Sequence, residues 1–295
     1  MNSKIVSRLV FLLAMLLSLN AYSQSLAIVL KLNDENESRV YHDEPLLMSL
    51  SITNQLAQEN NRWNKAADRR LKELEELIRE KKISQEEYEK EKNDLQNAKR
   101  PVPVITVGDA GTPWPSLVKW KLINKSNGIT VAFNIRKMPN PSSDEIAILN
   151  ERGYYTAYFG IDAAEMRKIT AGTYEIIAEF SKEESQPASL EIRSESLPPG
   201  IADSEPILLR NGQYWWHAGD SKQGLKFAER ILQKNPVSLD GLSLKGDLQL
   251  LDSAFLPALD TFNKALKEFY RQNPVLTEPP EYILAMIDWI KTQIR

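Results

Sequence analysis

Few residues of this chain have the types and spacings that make or break bonds. Its 295 residues include two histidines, His42 and His217, and no cysteine. Without cysteine there is no thiolate nucleophile, no disulfide and no Cys/His cluster at zinc-ligand spacing. No Gly-x-Ser-x-Gly elbow raises a serine nucleophile. Gly219-Asp220-Ser221-Lys222-Gln223-Gly224 lacks the Gly-Lys-Ser/Thr ending with which a phosphate loop holds its ligand, and it falls at a helix–helix turn. His42 beside Asp43 and Glu44 could share a proton as an acid/base pair, or form a solvated turn before Pro45. Pro113 and Pro115 stiffen Trp114. A rigid loop aromatic can anchor a peptide or sugar, or fold over a sheet end as a plug. The chain reads as non-enzymatic, with no metal and no cofactor. Its chemistry is recognition.

The elements that position a recognition surface are legible from periodicity. Gly212 returns as Gly246, Gly224 as Ala258, Ala228 as Phe262, Ile231 as Ala265 and Leu232 as Leu266, a spacing of 34. On these residues the C-terminal third resembles tetratricopeptide repeats, with units at about 205–238 and 239–270. Trp215, the Gly219-Asp220 turn and Pro236 match the first unit; Leu242, Gly246, Phe262 and Ala265 match the second. The second unit departs at Ser253-Ala254 and at Tyr270. Pro279-Pro280 then opens a cap helix carrying Tyr282, Ile283, Met286, Trp289 and Ile290. The resemblance implies a partner-binding concave face lined by Gln213, Trp216 and His217 from the first unit, with Asp247, Leu250 and Leu251 from the second. Two units fall short of the three or so needed for independent stability. Trp216 and Leu250 therefore have a competing role, packing on the cap or on the preceding region.

Residues 24–197 read as strands. Leu46, Met48, Leu50 and Ile52 alternate with Leu47, Ser49, Ser51 and Thr53, and Tyr174, Ile176, Ala178 and Phe180 with Glu175, Ile177 and Glu179. Val118, Trp120 and Leu122 alternate with lysines. Further strands are expected at 26–32, 102–107, 129–135, 154–161 and 188–193. Many short strands with few intervening helices imply an antiparallel sandwich. Ala171-Gly172-Thr173-Tyr174 resembles the start of strand F in immunoglobulin-like domains. That likeness implies a tyrosine-corner hydrogen bond from Tyr174 and a buried strand-C tryptophan at Trp120. The family's cysteine would fall at Ile176, so its disulfide is absent.

An insertion interrupts the strands. Residues 55–100 are rich in Lys, Glu, Gln and Asn and hold no Gly or Pro, a composition that favours exposed helices. Leu56, Trp63, Ala67, Leu71, Leu74 and Ile78 share one helical face. Ser84 and Glu87 form a capping box that opens a second helix. Glu75–Arg79 and Glu86–Lys90 are expected ion pairs. The result is a helical hairpin whose long arm reaches roughly 35 Å. Around Ile83-Ser84-Gln85-Glu86-Glu87-Tyr88 it resembles short bacterial oligomerisation hairpins, and oligomerisation through it is one expected use.

Leu197-Pro198-Pro199-Gly200 starts a linker, 198–204, before the array at 205–295. At the other end Lys4, Arg8, the apolar run Leu9–Leu19 and Ala21-Tyr22-Ser23 read as a signal peptide, 1–23. An uncleaved N-terminal anchor is the alternative. Cleavage would give a periplasmic or secreted protein with no membrane insertion. A formal net charge of −3 without a basic cluster argues against nucleic acid and anionic membrane surfaces. The expected function is a scaffold or adaptor for another exported or envelope protein. Rival readings are an envelope hydrolase or carbohydrate-active enzyme using carboxylates, and a glycan-binding module using Trp114 and Tyr154-Tyr155.

Overall fold

The computed structural model describes residues 26–109, 111–141, 146–150, 153–180, 183–275 and 278–294. The expected signal peptide lies outside them. Mainly antiparallel sheets occupy the N-terminal part, interrupted by a helical insertion, and helices the C-terminal part, so the structure is mixed α and β.

One sheet runs β1 (Leu26–Leu32), β3 (Leu46–Asn54), β8 (Tyr154–Ile161) and β6 (Arg136–Lys137). In the second, β9 (Gly172–Phe180) pairs with β5 (Lys119–Asn124), with β10 (Glu183–Glu184) and with β11 (Ala188–Arg193). There β2 (Glu37–Tyr41) runs parallel to β11. A two-stranded ribbon joins β4 (Ile105–Val107) to β7 (Ala147–Leu149). Period-2 burial drives both main sheets: Leu46, Met48, Leu50 and Ile52 share one core with Tyr174, Ile176, Ala178 and Phe180. The Tyr174 hydroxyl donates to the Thr170 carbonyl at 2.6 Å, tying the chain down where β9 begins.

Three expectations for this region need correction. Residues 129–135 form no strand beyond a single bridge from Ile123 to Thr130, although Val131, Phe133 and Ile135 still pack against the core. Trp120 is only partly buried, with its edge against Phe159 at 4.9 Å. The indole fully enclosed in the core is Trp114, from a 3-10 turn at Trp114–Leu117, at 6.1 Å from Phe180. Its proline-flanked loop folds inward because a large apolar ring gains more from burial than from exposure.

The insertion forms α1 (Gln55–Arg79) and α2 (Gln85–Asn97), the latter opened by the Ser84/Glu87 capping box. Glu75–Arg79 and Glu86–Lys90 do not pair. Arg70 instead bridges to Glu91 at 2.8 Å and Lys99 to Asp68 at 2.6 Å, so the charges join the two arms. Nearer the base an asparagine series holds the returning chain. Asn60 donates to the Pro101 carbonyl at 2.7 Å and Asn64 to that of Arg100 at 2.8 Å, while buried Asn54 reaches Pro103 and Leu149. Ala57, Ala67 and Leu74 supply the thin buried seam.

The C-terminal helices are α3 (Glu205–His217), α4 (Ser221–Lys234), α5 (Leu239–Leu251), α6 (Phe255–Gln272) and α7 (Glu281–Gln293). Gly212 and Gly246, on α3 and α5, permit close packing. A methyl group added at Gly212 would strike Leu244, and one at Gly246 would strike the Phe262 ring.

Helices and sheet are locked together. Leu47, expected on the polar face of β3, is buried against Met138 and Tyr214. Gly160, opposite Leu47 in the register, leaves the space those two side chains occupy. Arg210 of α3 pairs with buried Glu44 at 2.8 Å. Arg136 reaches the Tyr214 hydroxyl at 3.3 Å.

Candidate functional site

A groove of about 480 Å³ opens between α3, α5 and α7. Trp216 comes from α3, and Asp247, Leu250 and Leu251 from α5. The last helix contributes Tyr282, Met286 and Trp289, and Asn140 closes the end nearest the sheets. Helix periodicity explains why these side chains converge. Positions 247, 250 and 251, like 282, 286 and 289, are three or four residues apart and share a face. The Ser238 hydroxyl oxygen starts α5 by accepting from the Gly241 N–H at 2.9 Å. Phe255 and Phe262 support Trp289 and Tyr282 from behind through edge contacts at 6.0 and 6.3 Å.

Asn140 is fixed by three bonds to the end of α3. Its side chain donates to the Trp216 carbonyl at 3.2 Å, and its backbone N–H donates to that of His217 at 3.1 Å. Its own carbonyl accepts from His217 Nδ1 at 2.7 Å. This places the sheet region's Met138–Pro141 loop against the wall of a helical groove.

Asp247 is the groove's one charged side chain. Burial pushes its carboxyl up to about 6, against the opposing effect of a hydrogen bond donated by the Tyr282 hydroxyl. Burial and the Asp247 charge both push the Tyr282 phenol up, so it stays a protonated donor. Among the described residues Asp247 has no ion-pair partner. Three or more His, Cys, Asp or Glu side chains positioned to hold a metal do not occur together among those residues.

The sequence-derived site residues divide. Trp216, Asp247, Leu250 and Leu251 meet in the groove. Gln213 lies one turn earlier on α3, half-buried and outside the groove lining. His217 is turned away. One residue beyond Trp216 is about 100° around the helix, which aims its ring at the sheets, stacked on Tyr158 at 3.9 Å. Trp114, expected as a loop anchor, is instead buried in the sheet core and does not line the groove. The last-helix residues Tyr282, Met286 and Trp289 also complete the groove; their three- and four-residue spacing is the signal for that face. Asn140 carried none.

His217 makes this junction acid-sensitive. Burial pulls its imidazole down to about 4, outweighing the hydrogen bond with Asn140. The unfolded chain binds a proton near pH 6.5 that the native ring refuses. The neutral ring's contribution is complete above that pH and is lost as pH falls towards 4, at about 3 kcal/mol. Asp247 acts in the opposite sense, because its folded carboxyl binds a proton more readily than the unfolded one. The measurement is therefore a difference. Denaturant unfolding should show wild type losing about 2–3 kcal/mol relative to His217→Gln between pH 7 and about 4.5. Equal pH dependence in the two proteins would contradict a buried neutral imidazole.

No protein-family model matches the chain, and no curated protein matches it. Among solved structures it is similar to a family 123 glycoside hydrolase from Clostridium perfringens, at 10% identity and a TM-score of 0.27, over 74% of this chain and 36% of that one. The chain thus spans about a third of that protein's length. A likeness at this level carries no argument about fold or activity.

Proposed function

We propose that the protein is an exported, non-enzymatic scaffold or adaptor that holds another envelope or secreted protein in the α3/α5/α7 groove. The observation that carries this is the groove itself, open and apolar, with three aromatic side chains and one carboxylate. Open aromatic-lined concavities of this size fit peptide segments or small molecules. Export rests on the signal-like residues 1–23.

The finer architecture belongs to the same reading. An immunoglobulin-like sandwich is supported by the strand order β1-β3-β8-β6 opposite β5-β9-β11-β2, and by the Tyr174–Thr170 hydrogen bond. A tetratricopeptide-like array is supported by two helix pairs whose glycines, 34 residues apart, both sit at close helix contacts. Helix α7 then caps the array. The hairpin offers a second surface for oligomerisation, with Trp63 47% exposed on its seam.

A carbohydrate-active enzyme of the usual kind needs two carboxyl groups flanking one bond. The groove lining has one. The glycan-binding alternative loses an anchor with the burial of Trp114.

The test is a crosslinking pull-down from the native envelope, followed by affinity and stability measurements on Trp216→Ala. A groove anchor should cost about 2 kcal/mol of affinity on truncation. A destabilised Trp216→Ala protein with wild-type affinity would sink the groove assignment and leave Trp216 as packing.

A further inference from the structure

We propose that the groove takes a basic side chain, lysine or arginine, from an extended segment of the partner, seated between Trp216 and Trp289 over the Asp247 carboxylate. This rests on the peptide-binding reading of the groove and names what that peptide must carry.

Charge complementarity is the first reason. The fully buried carboxylate Glu44 has a cation of its own, Arg210 at 2.8 Å, and Glu165 has Lys168. Asp247 has none among the described residues. Its Oδ1 accepts the Tyr282 hydroxyl, and Oδ2 makes no hydrogen bond within the described residues. A half-buried carboxylate on the wall of an apolar groove is a charge that an incoming cation can pair with at short range.

The walls supply the second reason. Indole and phenol faces attract cations through their negative π-surfaces, and their bodies cover the apolar stem of a long side chain. Trp289 is 45% exposed and Tyr282 46%, so a ligand reaches both directly. Leu250 and Met286 extend the apolar surface along which such a stem would lie. Asn140 adds polar atoms at the end nearest the sheets, where a peptide backbone could bond.

The third reason concerns pH. Tyr282 is the other titratable group of the lining, and Trp216, Asn140, Leu250, Leu251, Met286 and Trp289 carry no titrating charge. Loss of the Asp247 charge should therefore dominate any acid weakening from the groove side. With its carboxyl pushed up to about 6, that weakening falls in a range where free carboxylates remain ionised.

The experiment selects random heptapeptides on the full exported chain, in parallel with Asp247→Asn, Trp216→Ala and Trp289→Ala. Wild type should enrich peptides with a lysine or arginine at a constant position. Replacing that residue by norleucine should weaken binding at least about tenfold at pH 7.5, and Asp247→Asn should weaken the parent peptide as much. Lowering the pH to about 5 should bring wild type close to Asp247→Asn. The asparagine variant should unfold at or above the wild-type midpoint, which separates lost binding from lost fold. Peptides without a basic residue that bind wild type and Asp247→Asn alike, yet lose binding in Trp289→Ala, would overturn the cation assignment and leave the groove reading standing. Failure to select any peptide dependent on Trp216 or Trp289 would overturn both.

Discussion

Trp114→Ala is expected to lose about 3–5 kcal/mol of folding stability, the usual cost of removing a large ring from a packed core. The indole is fully buried, meets Phe180 edge-on at 6.1 Å, and belongs to the cluster shared by the two main sheets. Alanine would leave a cavity that the flanking prolines prevent the loop from filling. Trp114→Phe should cost much less. It retains most of the apolar bulk and removes a buried Nε1–H that finds no acceptor among the described residues. Urea midpoints of the two variants provide the check. If Trp114→Ala kept wild-type stability and lost partner affinity, Trp114 would be a docking anchor after all.

The second large effect is expected at the junction of helices and sheet. Arg210→Ala should destabilise the protein by about 3–5 kcal/mol, because it leaves the buried Glu44 carboxylate without its cation. The other oxygen of Glu44 already accepts the Tyr41 N–H at 2.8 Å, so the carboxylate cannot simply swing out to water. Removing both charges in a Glu44→Gln, Arg210→Met double variant should recover much of the loss, since the attraction and the desolvation cost leave together. Chemical unfolding followed by two probes, one on the strands and one on the helices, would show whether the regions still unfold as one. An unchanged midpoint and a single transition in Arg210→Ala would mean that the contact contributes little to docking. The groove would feel the change too, because Asn140 reaches it from the sheet side of this junction.

Local pattern was a reliable guide wherever one face of an element meets a single environment. The alternation in 46–53 and 174–180 specified β3 and β9, because side-chain direction along a strand has period 2. Ser84 and Glu87 specified the start of α2, a hydrogen-bonding arrangement complete within four residues. The spacing that brings Gly212 back as Gly246 located two close helix contacts. It also brought Trp216, Asp247, Leu250 and Leu251 to one surface.

Long-range packing decided the rest. The residues of 129–135 alternate like a strand yet lack a partner along most of their length, and a strand needs a neighbour's hydrogen bonds. Leu47 sits on the outer face of β3 and is nonetheless buried, because Tyr214 and Met138 arrive from 167 and 91 residues further along the chain. The same docking draws His217 off the concave face and delivers Asn140 to it. Charged pairs four apart in the hairpin gave way to bridges between its arms, since exposed i,i+4 attractions amount to only a few tenths of a kcal/mol. Composition and spacing by themselves determined that this chain has strands, a helical hairpin and paired helices. Which aromatic is core and which is groove, and that Asp247 stands there without a cation among the described residues, were settled only by the tertiary fold, because burial is a property of what packs against a residue.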